Sequence, residues 1–403
     1  MIVDAPTPAE FNAAGLNQLT LAWQIAIGAV MEYDNALALG AEGDAESTAE
    51  YWRRTQPALA NAYSLVQQGM ELALKGRIAS VSPFLLIGDP SDWPGRAASE
   101  DVSFGDLRTL DAADLVKVHN GVRADRLDET FRAFWDEVRR ERNKIMHSVA
   151  PRTFDPATLV RTILTAAEAL YADLRWPQRL LDMEEDGRLA AFGYIDDVQN
   201  SVMRQVDDAI RHLQTAEAKR FFGFDKGRRS YVCPRCYLAA NRDWQECWPH
   251  LAQFRSRRAG DTALHCCLCD ETTNVSRQPC LRTECQGDVI VEDLCLTCTR
   301  RQDESDTEAD YEFILAVRDT DQPYQGEPSI ERCRGDEAAK RFGRDALSVG
   351  IFTTVSITRL NPNTLSDPEP RDPVVGSWRR VGADLEWLEG IDADRLTLEL
   401  RPS

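Results

Sequence analysis

DETFRAFWDEVRRERNKIMHS, residues 128–148, reads as one helix with a divided surface. Phe131, Phe134, Trp135, Val138, Ile145 and Met146 recur at i, i+3, i+4 and i+7 spacing, which lines them along one face and predicts that this face is buried. At ~100° per residue Arg142 falls near the centre of that stripe, about 20° from Phe131 and about 40° from Val138. A guanidinium in that position predicts a buried carboxylate partner, a wet cleft at a subunit interface or an anionic ligand, because an unpaired buried charge is costly.

The same helical period extends outward from this stretch. Ala, Leu, Glu and Arg dominate residues 8 to 220 with few β-branched runs, which predicts an all-α helical bundle for the N-terminal half. The expected helices are 8–38, 47–77, 109–119, 127–147, 156–183 and 188–220. Between them DPSDWPGRAASED (89–101) has the Pro, Gly and Asp content of a surface loop. The period stops near residue 230, where cysteine pairs begin, and RQDESDTEAD (301–310) is an acidic linker. Alternating, β-branched segments follow at 311–319, 347–360, 381–389 and 395–401, with a Pro-rich loop at 361–373, and predict a β-rich C-terminal domain of open fold. The predicted domains are therefore 1–220, helical; 230–300, tandem zinc ribbons; and 311–403, β-rich.

A chain of 403 residues is long enough for two or three such domains. Its 43% hydrophobic and 28% charged residues suit folded protein rather than disorder. MIVDAPTPAEF has no basic segment leading into an apolar one, and no stretch approaches the ~18 apolar residues of a membrane span, so a cytoplasmic protein without a membrane partner is expected. The net charge of -19 repels phosphate backbones overall, so any nucleic-acid contact must use a local basic patch.

All eleven cysteines lie between Cys233 and Cys333. Confinement to one region of a large leaderless chain favours metal over disulfides. Cys233 and Cys236, with Cys266 and Cys269 about thirty residues on, have the spacing of a zinc ribbon whose two knuckles each donate two thiolates. Cys280 and Cys285 with Cys295 and Cys298 make a second set, so one or two structural Zn2+ ions are expected. Other partitions use Cys267 in place of Cys266, or Cys247 and His250. Cys333, alone in the β-rich part, reads as a small buried hydrophobe.

Around the first ribbon Lys226, Arg228, Arg229 and Arg235 belong to a basic island interleaved with Phe222, Phe224, Tyr231, Tyr237, Trp244 and Trp248. Charge mixed with stacking surfaces suits single-stranded nucleic acid. The opposing reading makes the aromatics small hydrophobic cores and the charges a solvated face.

Arg142-Asn143-Lys144-Ile145-Met146-His147 resembles the R-N-x3-H signature of HEPN ribonucleases, on a late helix of an all-helical domain. SLVQQGMELALKGRIASVSPFLLI (64–87) also looks like an earlier helix and turn of prokaryotic HEPN proteins, so the resemblance covers about the first half of the chain. It implies a metal-independent endoribonuclease with Arg142, Asn143 and His147 as catalytic residues, and a role as a toxin or in anti-phage defence. The imidazole of His147 would accept and donate the protons of the reaction, and Arg142 would brace the phosphoryl oxygens. Lys144 would help attract RNA. Positions five apart on a helix diverge by about 140°, so Arg142 and His147 do not face one pocket unaided. The family usually joins two such motifs at a dimer interface, and the resemblance implies a homodimer here. A regulatory protein partner would restrain the nuclease. The alternative reading is a non-catalytic zinc-ribbon nucleic-acid-binding or adaptor protein.

Overall fold

A computed structural model describes the chain apart from residues 42, 90, 92, 94–100, 148–152, 186–197, 241–247, 257, 259, 282–284, 303–310, 317, 320–321, 324–335, 349–353, 360–373, 382–383 and 391–403. It divides into two compact units, Met1–Ile195 with Arg204–Gly227, and Asp196–Met203 with Arg228–Ser403. Among the described residues no helix is long and apolar enough to cross a membrane.

The first unit is helical. α1 (Pro8–Ala38) starts at a capping box: Thr7 Oγ1 accepts from the Glu10 amide at 3.2 Å while the Glu10 carboxylate accepts from the Thr7 amide at 2.7 Å. α2 (Ala45–Ala79) returns antiparallel, capped by Asp44. The two backbones touch along a seam of small residues. A Cβ built on Gly69 would lie 2.8 Å from the Gly15 carbonyl oxygen, and one on Gly15 would lie 2.8 Å from that of Gly69. Leu19, Trp23 and Ile27 of α1 and Val66, Met70, Leu74 and Ile78 of α2 are buried beside this seam. α3 (Ala112–Val122), α4 (Glu129–His147) and α5 (Pro156–Leu170) pack on α2, and α5 adds buried Leu159, Val160 and Ile163. α6 (Trp176–Glu185) sets Trp176 against Trp23 with ring centroids 5.4 Å apart. The Trp23 indole donates to Gln205 Oε1 at 2.9 Å on α7 (Val198–His212), so a buried donor is satisfied inside the core. The unit also contains α8 (Thr215–Phe222) and a short parallel pair, β1 (Ile2–Val3) with β2 (Val102–Ser103).

In the second unit Cys233 opens α9 (Pro234–Ala239), followed by an antiparallel sheet of β3 (Ala252–Phe254), β4 (Ala263–Cys266) and β5 (Thr272–Asn274). A similar sheet follows from β6 (Ser276–Arg277), β7 (Val289–Val291) and β8 (Leu294–Cys295). The Val232 amide donates to the Leu296 carbonyl at 3.0 Å, and the Arg277 guanidinium lies 4.8 Å from the Phe254 ring centroid, so the two small sheets are joined. β9 (Tyr311–Ala316), the hairpin β10 (Arg318–Asp319) and β11 (Gln322–Pro323), α10 (Asp336–Ser348), β12 (Thr354–Arg359), β13 (Val374–Val381) and β14 (Asp384–Glu389) follow. They include a four-stranded antiparallel sheet in the order β14-β13-β12-β9. Ala339, Phe342 and Leu347 of α10 bury against Val355 and Ile357 of β12.

Several sequence expectations are corrected. The helix expected over 156–183 is two helices, broken after Leu170, because Tyr171 leaves helical geometry and Pro177 belongs in a first turn. Of the helix expected over 188–220, residues 188–197 lie outside the described residues, and the remainder breaks at Leu213 and Gln214, where a Gln214/Glu217 capping box starts α8. Leu347 and Ser348 end a helix rather than begin a strand, and α10 and most of β13 had no counterpart in the sequence reading. The 361–373 loop, the 395–401 strand, Cys247 and Cys333, and most of 89–101 and 301–310, lie outside the described residues.

Gly69→Ala is expected to cost about 1–3 kcal/mol, since the added methyl meets backbone on a neighbouring helix. Gly28→Ala, on α1 and with nothing within 4 Å of its Cβ position, is expected to be neutral or to stabilise by up to about 1 kcal/mol. Urea unfolding of the two variants checks the opposite signs. His119 of α3 is fully buried, its Nδ1 is 3.0 Å from Asn120 Oδ1, and its Nε2 has no partner among the described residues. Burial holds its pKa below the ordinary 6.5, against a smaller opposing effect of the Asn120 hydrogen bond. The unfolded chain therefore binds this proton first as pH falls below about 6.5. Stability should drop on acidification from pH 7 towards the lowered folded pKa, and His119→Gln should flatten that part of a melting-temperature profile.

Candidate functional site

Two clusters of four cysteines are built by the small sheets. Cys233, Cys236, Cys266 and Cys269 bring their sulfurs within 4.8 Å of one another, and so do Cys280, Cys285, Cys295 and Cys298. Individual pairs are 3.7 Å (Cys233 to Cys269) and 3.8 Å (Cys236 to Cys266, Cys280 to Cys298, Cys285 to Cys295). A tetrahedral metal with bonds of about 2.3 Å to sulfur requires sulfur to sulfur edges of about 3.8 Å, whereas a disulfide needs about 2.05 Å. The separations therefore suit a divalent ion, and an all-thiolate donor set suits zinc. Hydrogen bonding with Cys233 pushes the thiols of Cys236 and Cys266 well up, the cost of crowding sulfurs that a cation would remove.

Matching local geometry makes the second knuckle of each cluster. The Cys266 amide donates to the Glu271 carbonyl at 3.0 Å and the Cys295 amide to that of Arg300 at 2.9 Å. In both, the residue after the last cysteine, Asp270 or Thr299, has positive φ (62° and 54°) and donates its amide back to the first cysteine's carbonyl. The two modules share this five-residue turn, a closer kinship than their sequences suggest. Gly287 lets the second cluster close: its amide donates to Cys285 Sγ at 3.2 Å, and a Cβ there would lie 2.7 Å from Cys295 Sγ. Among the described residues the clusters contain Cys266 rather than Cys267 and do not include His250. The first cluster is the more enclosed, with Cys233, Cys236 and Cys266 buried, whereas Cys280, Cys285 and Cys298 are half-buried.

The end of α4 presents a second candidate. Phe131, Trp135 and Val138 are buried as the apolar stripe requires, but the stripe emerges from the bundle beyond them. Met146 is 57% exposed and Arg142 is only half-buried, donating to Asn143 Oδ1 at 3.3 Å. The expectation of a deeply buried guanidinium is thus corrected: neighbouring helices cover the first part of this face and not its last two turns. Asp136, Arg139, Arg140, Asn143, Lys144 and His147 line an open cleft of about 650 Å³. Asp136, Arg140, Asn143 and His147 fall within about 60° of one another around the helix, and Arg142 is about 140° from His147. The structure therefore brings Asn143, Lys144 and His147 together and leaves Arg142 outside the cleft. Arg140, seven residues before His147, is the cation on its face, and that spacing was present in the sequence.

The basic island is largely committed to the protein itself. Lys226 Nζ donates to the carbonyls of Arg211 at 2.8 Å and Leu213 at 2.5 Å, capping the end of α7. Arg228 donates to the Phe254 carbonyl at 3.0 Å, Arg229 to that of Gln286 at 3.1 Å, and Arg235 lies 3.6 Å from Glu271. Phe222, Phe224 and Tyr231 are buried, so they act as core. Trp244 lies outside the described residues.

No protein-family model, curated protein or solved structure matches this chain.

The protein is expected to carry two zinc equivalents by elemental analysis. Cys236→Ser should leave one and lower the melting temperature of the second unit, whereas Cys267→Ser should retain both.

Proposed function

We propose that this chain is a metal-independent endoribonuclease of HEPN type, cleaving RNA at the end of α4 in a homodimer. The observation that carries the reading is the single polar face on which Arg140, Asn143 and His147 line one cleft, flanked by Arg139 and Lys144. RNA brings its own nucleophile. Attack of the 2'-oxygen on the adjacent phosphorus expels the 5'-oxygen and leaves a 2',3'-cyclic phosphate and a 5'-hydroxyl. His147 of one copy takes the 2'-hydroxyl proton, and His147 of the second copy protonates the leaving oxygen. The guanidinium of Arg140 pairs with the phosphoryl oxygens as charge grows, Asn143 orients the phosphate, and Lys144 and Arg139 draw the strand in. Arg142, turned away from His147, reaches the phosphate from the partner copy. A toxin or anti-phage defence role is the setting that the resemblance to HEPN ribonucleases implies.

The four-cysteine clusters favour a second reading, a nucleic-acid-binding adaptor without catalysis, because four-thiolate sites are closed to substrate. Incubation of the full chain with total RNA and a matched DNA oligonucleotide, with divalent ions withheld from the buffer, separates the two. The nuclease is expected to cut RNA alone and leave 2',3'-cyclic phosphate ends. His147→Ala should lower the rate by about 10²–10⁴-fold, and Arg140→Ala and Arg142→Ala should each lower it by at least tenfold while remaining folded. RNA binding without cleavage, unchanged by these substitutions, would transfer the function to the adaptor reading.

A further inference from the structure

The second unit holds a cleft that neither the cysteine clusters nor the α4 face uses. Lys340, Arg341 and Arg344 of α10 and Trp378 and Trp387 of β13 and β14 surround about 640 Å³, within the range of about 300–1,000 Å³ typical of small-molecule sites. Positions 340, 341 and 344 share one side of a helix, so the three cations stand together. Trp378 and Trp387 are direct partners in the strand register, with ring centroids 5.4 Å apart and planes inclined by 58°.

The five side chains are not equivalent. The Trp378 indole donates to the Lys340 carbonyl at 2.7 Å, which ties α10 to the sheet and holds that ring in place. The Trp387 indole nitrogen is buried and has no hydrogen-bond partner among the described residues, a state that an incoming acceptor relieves. Lys340 Nζ lies 5.2 Å from the Trp387 ring centroid. Arg341 is braced by Asp293 at 3.0 Å. Arg344 is exposed and meets the adjacent, half-buried Asp345 at 3.4 Å.

We propose that this cleft binds a nucleotide unit, a base carrying a phosphate. Arg344 and Lys340 take the phosphate, the tryptophan pair takes the flat base, and the Trp387 N–H adds one donor. A simple anion would leave the tryptophans without a role, and an uncharged aromatic would leave the cations without one. The unit can come from a free nucleotide or from the end of a single-stranded RNA. This site is independent of the nuclease reading, since it uses no residue of α4.

The test is calorimetric titration of the full chain with AMP, adenosine, inorganic phosphate and a short single-stranded RNA with and without a 5'-phosphate. Wild type is compared with Arg344→Glu and Trp387→Leu, with circular dichroism to confirm folding. Arg344→Glu changes an exposed position and keeps the test informative if Trp387→Leu unfolds. AMP is expected to bind at least tenfold more tightly than adenosine or phosphate, and Arg344→Glu should weaken it at least tenfold. Arg344-dependent binding of the phosphorylated RNA without AMP binding assigns the unit to a nucleic-acid end, and binding of AMP assigns it to the free nucleotide. Equal affinity for AMP and phosphate, binding indifferent to Arg344→Glu, or no binding of AMP or RNA at millimolar concentration overturns the proposal.

Discussion

Four sulfurs drawn together at separations near 3.8 Å repel as thiolates and waste hydrogen-bonding capacity as thiols, so a cation is what makes such an arrangement favourable. The second unit depends on this constraint twice. Its two small sheets have strands of two to four residues, too short for independent stability without added staples. Each cluster ties a knuckle at a strand end to an earlier cysteine pair, at the start of α9 in the first module and between β6 and β7 in the second. From the joined sheets the order passes on: Asp293, in the two-residue turn between β7 and β8, pairs with Arg341 of α10, and Arg301 lies 4.6 Å from the Phe342 ring centroid. The helix that forms one wall of the aromatic cleft is thus anchored on the second cysteine module.

The first unit solves a different problem. Gly15 and Gly69 allow two long helices to approach until their backbones touch, and the apolar residues on either side of that seam fill the space. α4 docks on α2 and buries Phe131, Trp135 and Val138 of its first three turns, while its last turns carry no buried residue. A polar face free of packing duties is what a substrate site requires, and α4 has one. The pitch of the helix sets Arg140, Asn143 and His147 on one face and turns Arg142 about 140° away from His147.

Much of this was legible in the sequence where the signal is local. Cysteine spacing marked both sets of ligands because a tetrahedral site demands pairs at knuckle distance. Choosing Cys266 over Cys267 needed β4, whose strand geometry alternates the directions of adjacent side chains. The long periodic helices α1 and α2 emerged nearly entire, while the Tyr171 and Leu213 breaks depended on caps that compete only weakly with helical composition. Periodicity placed Arg142 at the centre of an apolar face without showing that neighbouring helices stop short of it. Charge counting likewise found the basic residues near the first ribbon, but not that Lys226 and Arg228 spend their donors on backbone carbonyls. α10 was hidden because Ala339, Phe342 and Leu347 are sparse among charges, and β13 because it follows a Pro-rich run.

Zinc-edge X-ray absorption of the full chain tests most directly the claim that the second unit is organised by two thiolate-bound ions. Two zinc equivalents with four sulfur neighbours each at about 2.3 Å, and no light-atom ligand, is the result that this geometry requires. Nitrogen or oxygen in the first coordination shell, or a folded chain without metal whose cysteines are all free or disulfide-bonded, would contradict it.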